Sequence, residues 1–169
     1  MRKRTIVTFS REQRQTSTYT KRLARRLALE QELSGVTKPV FAERIGISGS
    51  QFRAIRATTA NPSLAMLCQI ARAISAPLYE LLEGEPLGAR RNVGYDDATK
   101  AISKMLGERY GTSELTQRKF ASSLRLSHAQ IYKILSGDAN PSLLTCVALA
   151  KQFNVTLWRL LGVEDAPPD

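Results

Sequence analysis

Leu115-Thr116-Gln117-Arg118-Lys119-Phe120-Ala121-Ser122-Ser123-Leu124-Arg125-Leu126-Ser127-His128-Ala129-Gln130-Ile131-Tyr132-Lys133-Ile134-Leu135 divides into two short helices with a tight turn between them. Thr116 is a good N-cap, and Phe120, Ala121 and Leu124 recur behind it at helical spacing. Ser127 supplies a second cap three residues after Leu124, and Ile131 and Ile134 anchor the helix that follows. Two helices this short cannot enclose a core. Neighbouring helices must hold them, which leaves the second one protruding with His128, Ala129, Gln130, Tyr132 and Lys133 available for its outer side. A protruding helix fits the major groove of a duplex, where each base pair shows its own pattern of donors and acceptors. A turn between two helices also occurs in any small bundle, so this stretch alone does not fix a function.

The same pattern occurs twice. Placing Asn61-Pro62-Ser63-Leu64 on Asn140-Pro141-Ser142-Leu143 sets a displacement of 79 residues that holds without a gap. Thr37 falls on Thr116, Phe41-Ala42 on Phe120-Ala121, Ser48 on Ser127, and Gln51 on Gln130. Leu78, Leu81 and Leu82 fall on Leu157, Leu160 and Leu161. Of the 63 pairs from Thr20–Leu82 against Thr99–Leu161, 19 are identical, and others swap like for like, such as Ile45 with Leu124, Arg72 with Lys151 and Tyr79 with Trp158. A solenoid needs at least about three repeats, so two units of this length read as two small domains. Each predicts five helices. The first carries Leu23 and Leu27, or Ile102 and Leu106, on one stripe, and Asn61-Pro62 or Asn140-Pro141 starts the fourth, with Asn as its cap. The fold class is all-α, with residues 16–83 and 96–163 as the two domains and 84–95, holding Gly84, Pro86, Gly88 and Gly94, as the linker. Residues 1–15 read as a basic arm and 164–169 as a tail; Thr5–Ser10 alone has the alternation of a short strand.

Charge supports a polyanionic partner. There are 25 Lys and Arg against 15 Asp and Glu, a net +10. Thr116–Leu135 holds four of the basic residues and no acid. Nine more lie in the first 35 residues, where an arm can follow a phosphate backbone or serve only as a solvated tail. No apolar run approaches the ~20 residues that span a bilayer. Met1-Arg2-Lys3-Arg4 is followed by no apolar segment, so the expectation is a cytoplasmic, nucleoid-associated protein. Cys68 and Cys146 lie within apolar helical patterns and read as buried thiols. One histidine cannot complete a zinc site or a nucleophile triad, and no phosphate loop or carboxylate pair is evident; neither an enzyme nor a cofactor is expected.

With these landmarks in place, unit two resembles the lambda-repressor-like (Cro/phage repressor, XRE) helix-turn-helix family across Glu114–Gly162. Unit one resembles it with departures: Lys38-Pro39 stands where the family favours Gln and a helix former, and Thr58 where it favours the Gly found at Gly137. The resemblance implies that the third helix of each unit meets base edges of double-stranded DNA. In unit two the contacting set is Ser127, His128, Ala129, Gln130, Tyr132 and Lys133, with Gln117 on a phosphate. In unit one it is Ser50, Gln51 and Arg53, with Lys38 at the helix before. Gln can pair with adenine, Lys can donate to guanine, and Ala can meet a thymine methyl. Tyr132 can equally cover apolar surface, and Lys119 and Arg125 can be plain solvated charges. The implied function is a sequence-specific transcriptional regulator, taken as a repressor. The rival reading is a protein-interaction module of antitoxin or anti-activator type, for which unit one's sparse reader set speaks. An RNA-binding reading lacks an aromatic platform for unstacked bases. Tyr79 and Trp158 occupy equivalent places beside the Leu-Leu pairs and are the expected surface for self-association or a protein partner.

Overall fold

The structure is a computed structural model that describes residues 17–86, 88 and 91–163. The expected arm, its short strand and the C-terminal tail lie outside the described residues. Among those described the fold is all-helical, with ten helices in the order α1 Thr18–Leu33, α2 Lys38–Arg44, α3 Gly49–Arg56, α4 Leu64–Ala73, α5 Leu78–Glu83, α6 Tyr95–Gly111, α7 Gln117–Ser123, α8 His128–Leu135, α9 Leu143–Phe153 and α10 Leu157–Leu160. None of these helices is long and apolar enough to cross a membrane. Carrying α2 and α3 forward by 79 residues gives the bounds of α7 and α8.

Each half is built on one long helix. α1 buries Thr20, Leu23, Ala24 and Leu27, and α6 buries Ala98, Thr99, Ile102 and Leu106, the one-face stripe that a 3.6-residue period produces. Asp96 and Asp97 in the first turn of α6 suit the positive end of its dipole. The long helices pack on the protruding ones, α1 on α3 and α6 on α8, while α2 holds α3 and α7 holds α8. From α3 only Phe52 and Ile55 are buried, and from α8 only Ile131 and Ile134. The remaining sides of these two helices face outward or are half-covered.

The two halves meet through equivalent residues. Ser63 and Ser142 form an isolated antiparallel bridge. Leu64 N–H donates to Pro141 O at 2.8 Å and Leu143 N–H to Pro62 O at 2.9 Å. The helix caps here differ from the sequence expectation. Ser63 and Ser142, not the asparagines, cap α4 and α9. Asn61 and Asn140 reach across instead: Asn61 Oδ1 accepts from Leu144 N–H at 3.1 Å, and Asn140 Oδ1 accepts from Ala65 N–H at 3.0 Å. Asn61 Nδ2 also donates to Ser142 Oγ at 2.8 Å. Each asparagine thus satisfies an orphan N–H in the first turn of the other half's helix, because the same Asn-Pro segments lie side by side at the seam.

Aromatic contacts close the other end of the seam. Tyr79 and Trp158 stack at a tilt with centroids 4.8 Å apart, and Tyr19 meets Trp158 edge-on at 6.2 Å. Trp158 Nε1 donates to Glu83 Oε1 at 2.7 Å, while the second oxygen of Glu83 pairs with Arg22. The two aromatics expected to be a contact surface are therefore in contact with each other within the chain. Buried apolar residues of both halves form one connected cluster, and it includes Val93 from the stretch between α5 and α6. Val93 is 5% exposed.

Candidate nucleic-acid interface

The turn before each protruding helix has a left-handed residue at the same place, Gly46 at φ 75° and Arg125 at φ 54°. The two turns solve this differently. Gln69 Nε2 donates to Gly46 O at 2.6 Å, and a Cβ on Gly46 would collide with that amide. In the second half Ala148 stands where Gln69 stands, which leaves room for the side chain of Arg125. Ile47 or Leu126 then plugs the turn into the core, and Ser48 or Ser127 begins the next helix.

Both protruding helices begin with a complete capping box. Gln51 N–H donates to Ser48 Oγ and Gln130 N–H to Ser127 Oγ, each at 3.1 Å. In return Ser48 N–H donates to Gln51 Oε1 and Ser127 N–H to Gln130 Oε1, each at 2.8 Å. Two of the first-turn donors are thereby satisfied without solvent, which stabilises helices of only two turns. The glutamines expected as base readers consequently have their amide oxygens engaged, with their Nε2 groups left to donate.

The other expected residues lie as follows. His128 and Ala129 are exposed on the first turn of α8, and Lys133 is exposed one turn later. Tyr132 is 62% exposed, so its ring does not serve to cover the core. Gln117, the first residue of α7, is half-buried. In the first half Lys38 opens α2 and is exposed. Ser50 and Arg53 are exposed on α3, with Ser50 Oγ 2.9 Å from Ser48 Oγ. Arg53 reaches back over the first turn, its guanidinium close to Gly49.

A groove of about 460 Å³ runs from α8 to the seam, lined by Gln130, Lys133, Asp138, Asn140, Ser142 and Thr145 among others. The outward side chains of α8 and the cross-paired asparagine therefore border one surface. Sequence reasoning missed that Asn61, Asn140 and Glu83 join the halves. It also missed the capping role of Gln51 and Gln130, although a Ser followed three residues later by Gln is itself the signature of that box.

No curated protein and no solved structure matches the chain. Residues 113–157, which contain α7, α8 and α9, match the family model described as Helix-turn-helix, a family of DNA-binding regulators.

Proposed function

We propose that the chain is a sequence-specific duplex-DNA-binding transcriptional repressor in which residues 16–83 and 96–163 are tandem five-helix domains joined by 84–95. The two act as a covalent pseudo-dimer that presents α3 and α8 to one operator. The observation that carries this reading is the reciprocal pairing of Asn61-Pro62-Ser63-Leu64 with Asn140-Pro141-Ser142-Leu143. Like pairs with like there, as in an isologous dimer interface, and such an interface suits two half-sites about 34 Å apart. The four basic residues of Thr116–Leu135, unopposed by acid, supply the phosphate-facing charge.

Two measurements test it. Log affinity for duplex DNA should fall steeply with log salt, with a slope of several units if roughly six to ten phosphates are neutralised. Footprinting of a complex whose mass shows one chain per duplex should protect two adjacent major-groove segments. A flat salt response, or two chains each covering half of a palindrome, refutes the arrangement.

The protein-partner reading has its own support in the first half. Leu29, Leu33 and Val40 are exposed by 50%, 74% and 48% on α1 and α2. Competition between specific and random duplex separates the two, since a partner module discriminates neither.

A further inference from the structure

From the two capping boxes we infer that this chain selects guanine over adenine at the base pairs met by Arg53 in one half-site and Lys133 in the other. The inference rests on the duplex-reading function proposed above and specifies what that surface recognises. An amide pairs with adenine by accepting from N6 and donating to N7, so it needs both its oxygen and its nitrogen. Gln51 and Gln130 are the only Asn or Gln residues on α3 and α8, and each has its oxygen turned onto the N-cap N–H at 2.8 Å. That oxygen faces its own backbone, which leaves the Nε2 group as the part that extends.

The remaining polar groups on the outward sides are dominated by donors. Arg53 offers a guanidinium fork, Lys133 an ammonium, and neither α3 nor α8 carries a carboxylate. His128, Tyr132 and the serines can donate or accept. Guanine is the base that shows two acceptors, N7 and O6, in the major groove, and it is the natural partner of a donor-rich face. Asp138 lies just beyond α8 in the groove with Lys133. An acceptor there would find the amino group of cytosine, which belongs to the same G·C pair.

The two selective residues are not equivalent. Displaced by 79 residues, Arg53 corresponds to Tyr132, and Lys133 corresponds to Ala54. Adjacent positions on a helix differ by about 100° in direction and about 1.5 Å in height. The selected guanines therefore occupy different places in the two half-sites, and the preferred operator is not a palindrome.

The test is selection of duplexes from a random pool by the full chain, followed by sequencing. The expected result is two unlike half-sites, each with an enriched guanine. Arg53→Ala should erase the guanine preference in one and Lys133→Ala in the other, each by about tenfold or more. Both side chains are exposed, and circular dichroism checks that these variants keep their helices. Gln51→Ala and Gln130→Ala should lower thermal stability, and neither should remove an enriched adenine. Enrichment of adenine that disappears in either glutamine variant would overturn the inference. So would salt-sensitive binding with no enriched base, which leaves duplex binding intact. Failure to bind any duplex would instead refute the proposed function itself.

Discussion

Replacing Asn61 with alanine should weaken the joint between the halves more than the same change at its counterpart Asn140 does. Asn61 makes two bonds to the second half, to Ser142 Oγ at 2.8 Å and from Leu144 N–H at 3.1 Å. A typical hydrogen bond contributes about 1 kcal/mol net, and a buried N–H left without a partner costs about 1–3 kcal/mol. Leu144 is buried, so Asn61→Ala should cost about 2 kcal/mol. Asn140 accepts from Ala65 N–H at an exposed site, and Asn140→Ala should cost about 1 kcal/mol or less. Asn61→Asp keeps the acceptor and places a negative charge at the start of α9, so it should fall between Asn61→Ala and the parent. Trp158, the single tryptophan, lies at the same seam and reports its opening by fluorescence during urea unfolding. With a slope near 2 kcal/mol per molar urea, Asn61→Ala should lower the midpoint by about 1 M. A shift corresponding to less than about 0.5 kcal/mol, or a larger effect of Asn140→Ala, would refute the reasoning.

Three further outcomes follow from the backbone and the thiols. Thr58 holds φ 55° where its counterpart Gly137 holds φ 80°, so Thr58→Gly should relieve β-branched strain and raise stability by about 1 kcal/mol in thermal or urea unfolding. Arg125→Gly should likewise stabilise its turn by up to about 1 kcal/mol while weakening low-salt duplex binding to all sequences, as titration of random duplexes would show. Burial pushes the Cys146 thiol up to about 12 from an ordinary value of 9.0. The folded state therefore keeps that proton longer than the unfolded chain does. The corresponding stability is fully present below pH 9 and is lost as pH rises through the folded value, by at most about 1.4 kcal/mol per pH unit. Unfolding midpoints of the parent should fall more steeply above pH 9 than those of Cys146→Ala.

What could be seen in the sequence is what short-range chemistry determines. Phe41 with Ala42, and Phe120 with Ala121, are spaced for one helix face and are buried there. Ser48 and Ser127 cap helices because their partners are three residues away. Asn61 and Asn140 show the limit of that logic. An Asn before Pro is as good a cap for a neighbouring helix as for its own, and nothing local tells the two apart. Glu83 has partners 61 and 75 residues away, so by any local rule it is merely a solvated acid at a helix end. Val93 sits among Gly and Asn residues that resemble a free linker, and its burial depends on how the halves pack. Tyr132 could face either way by sequence, since one position on a two-turn helix decides between core and solvent.

On the pseudo-dimer reading, the covalent joint changes what selection can act on. A homodimer presents the same reading helix twice, so its best operator repeats one half-site, and its affinity includes the cost of bringing two chains together. In one chain the second domain is always present at a concentration set by the connecting segment rather than by expression. The Asn-Pro-Ser-Leu part of the seam can then stay symmetric while the reading helices diverge, because they share no residues with it. Asn61 and Asn140, Pro62 and Pro141, and Ser63 and Ser142 have remained identical, whereas Arg53 and Tyr132, and Ala54 and Lys133, have not. Identity at the Asn-Pro-Ser-Leu contact and difference at the exposed helix are what an operator of two unlike halves requires.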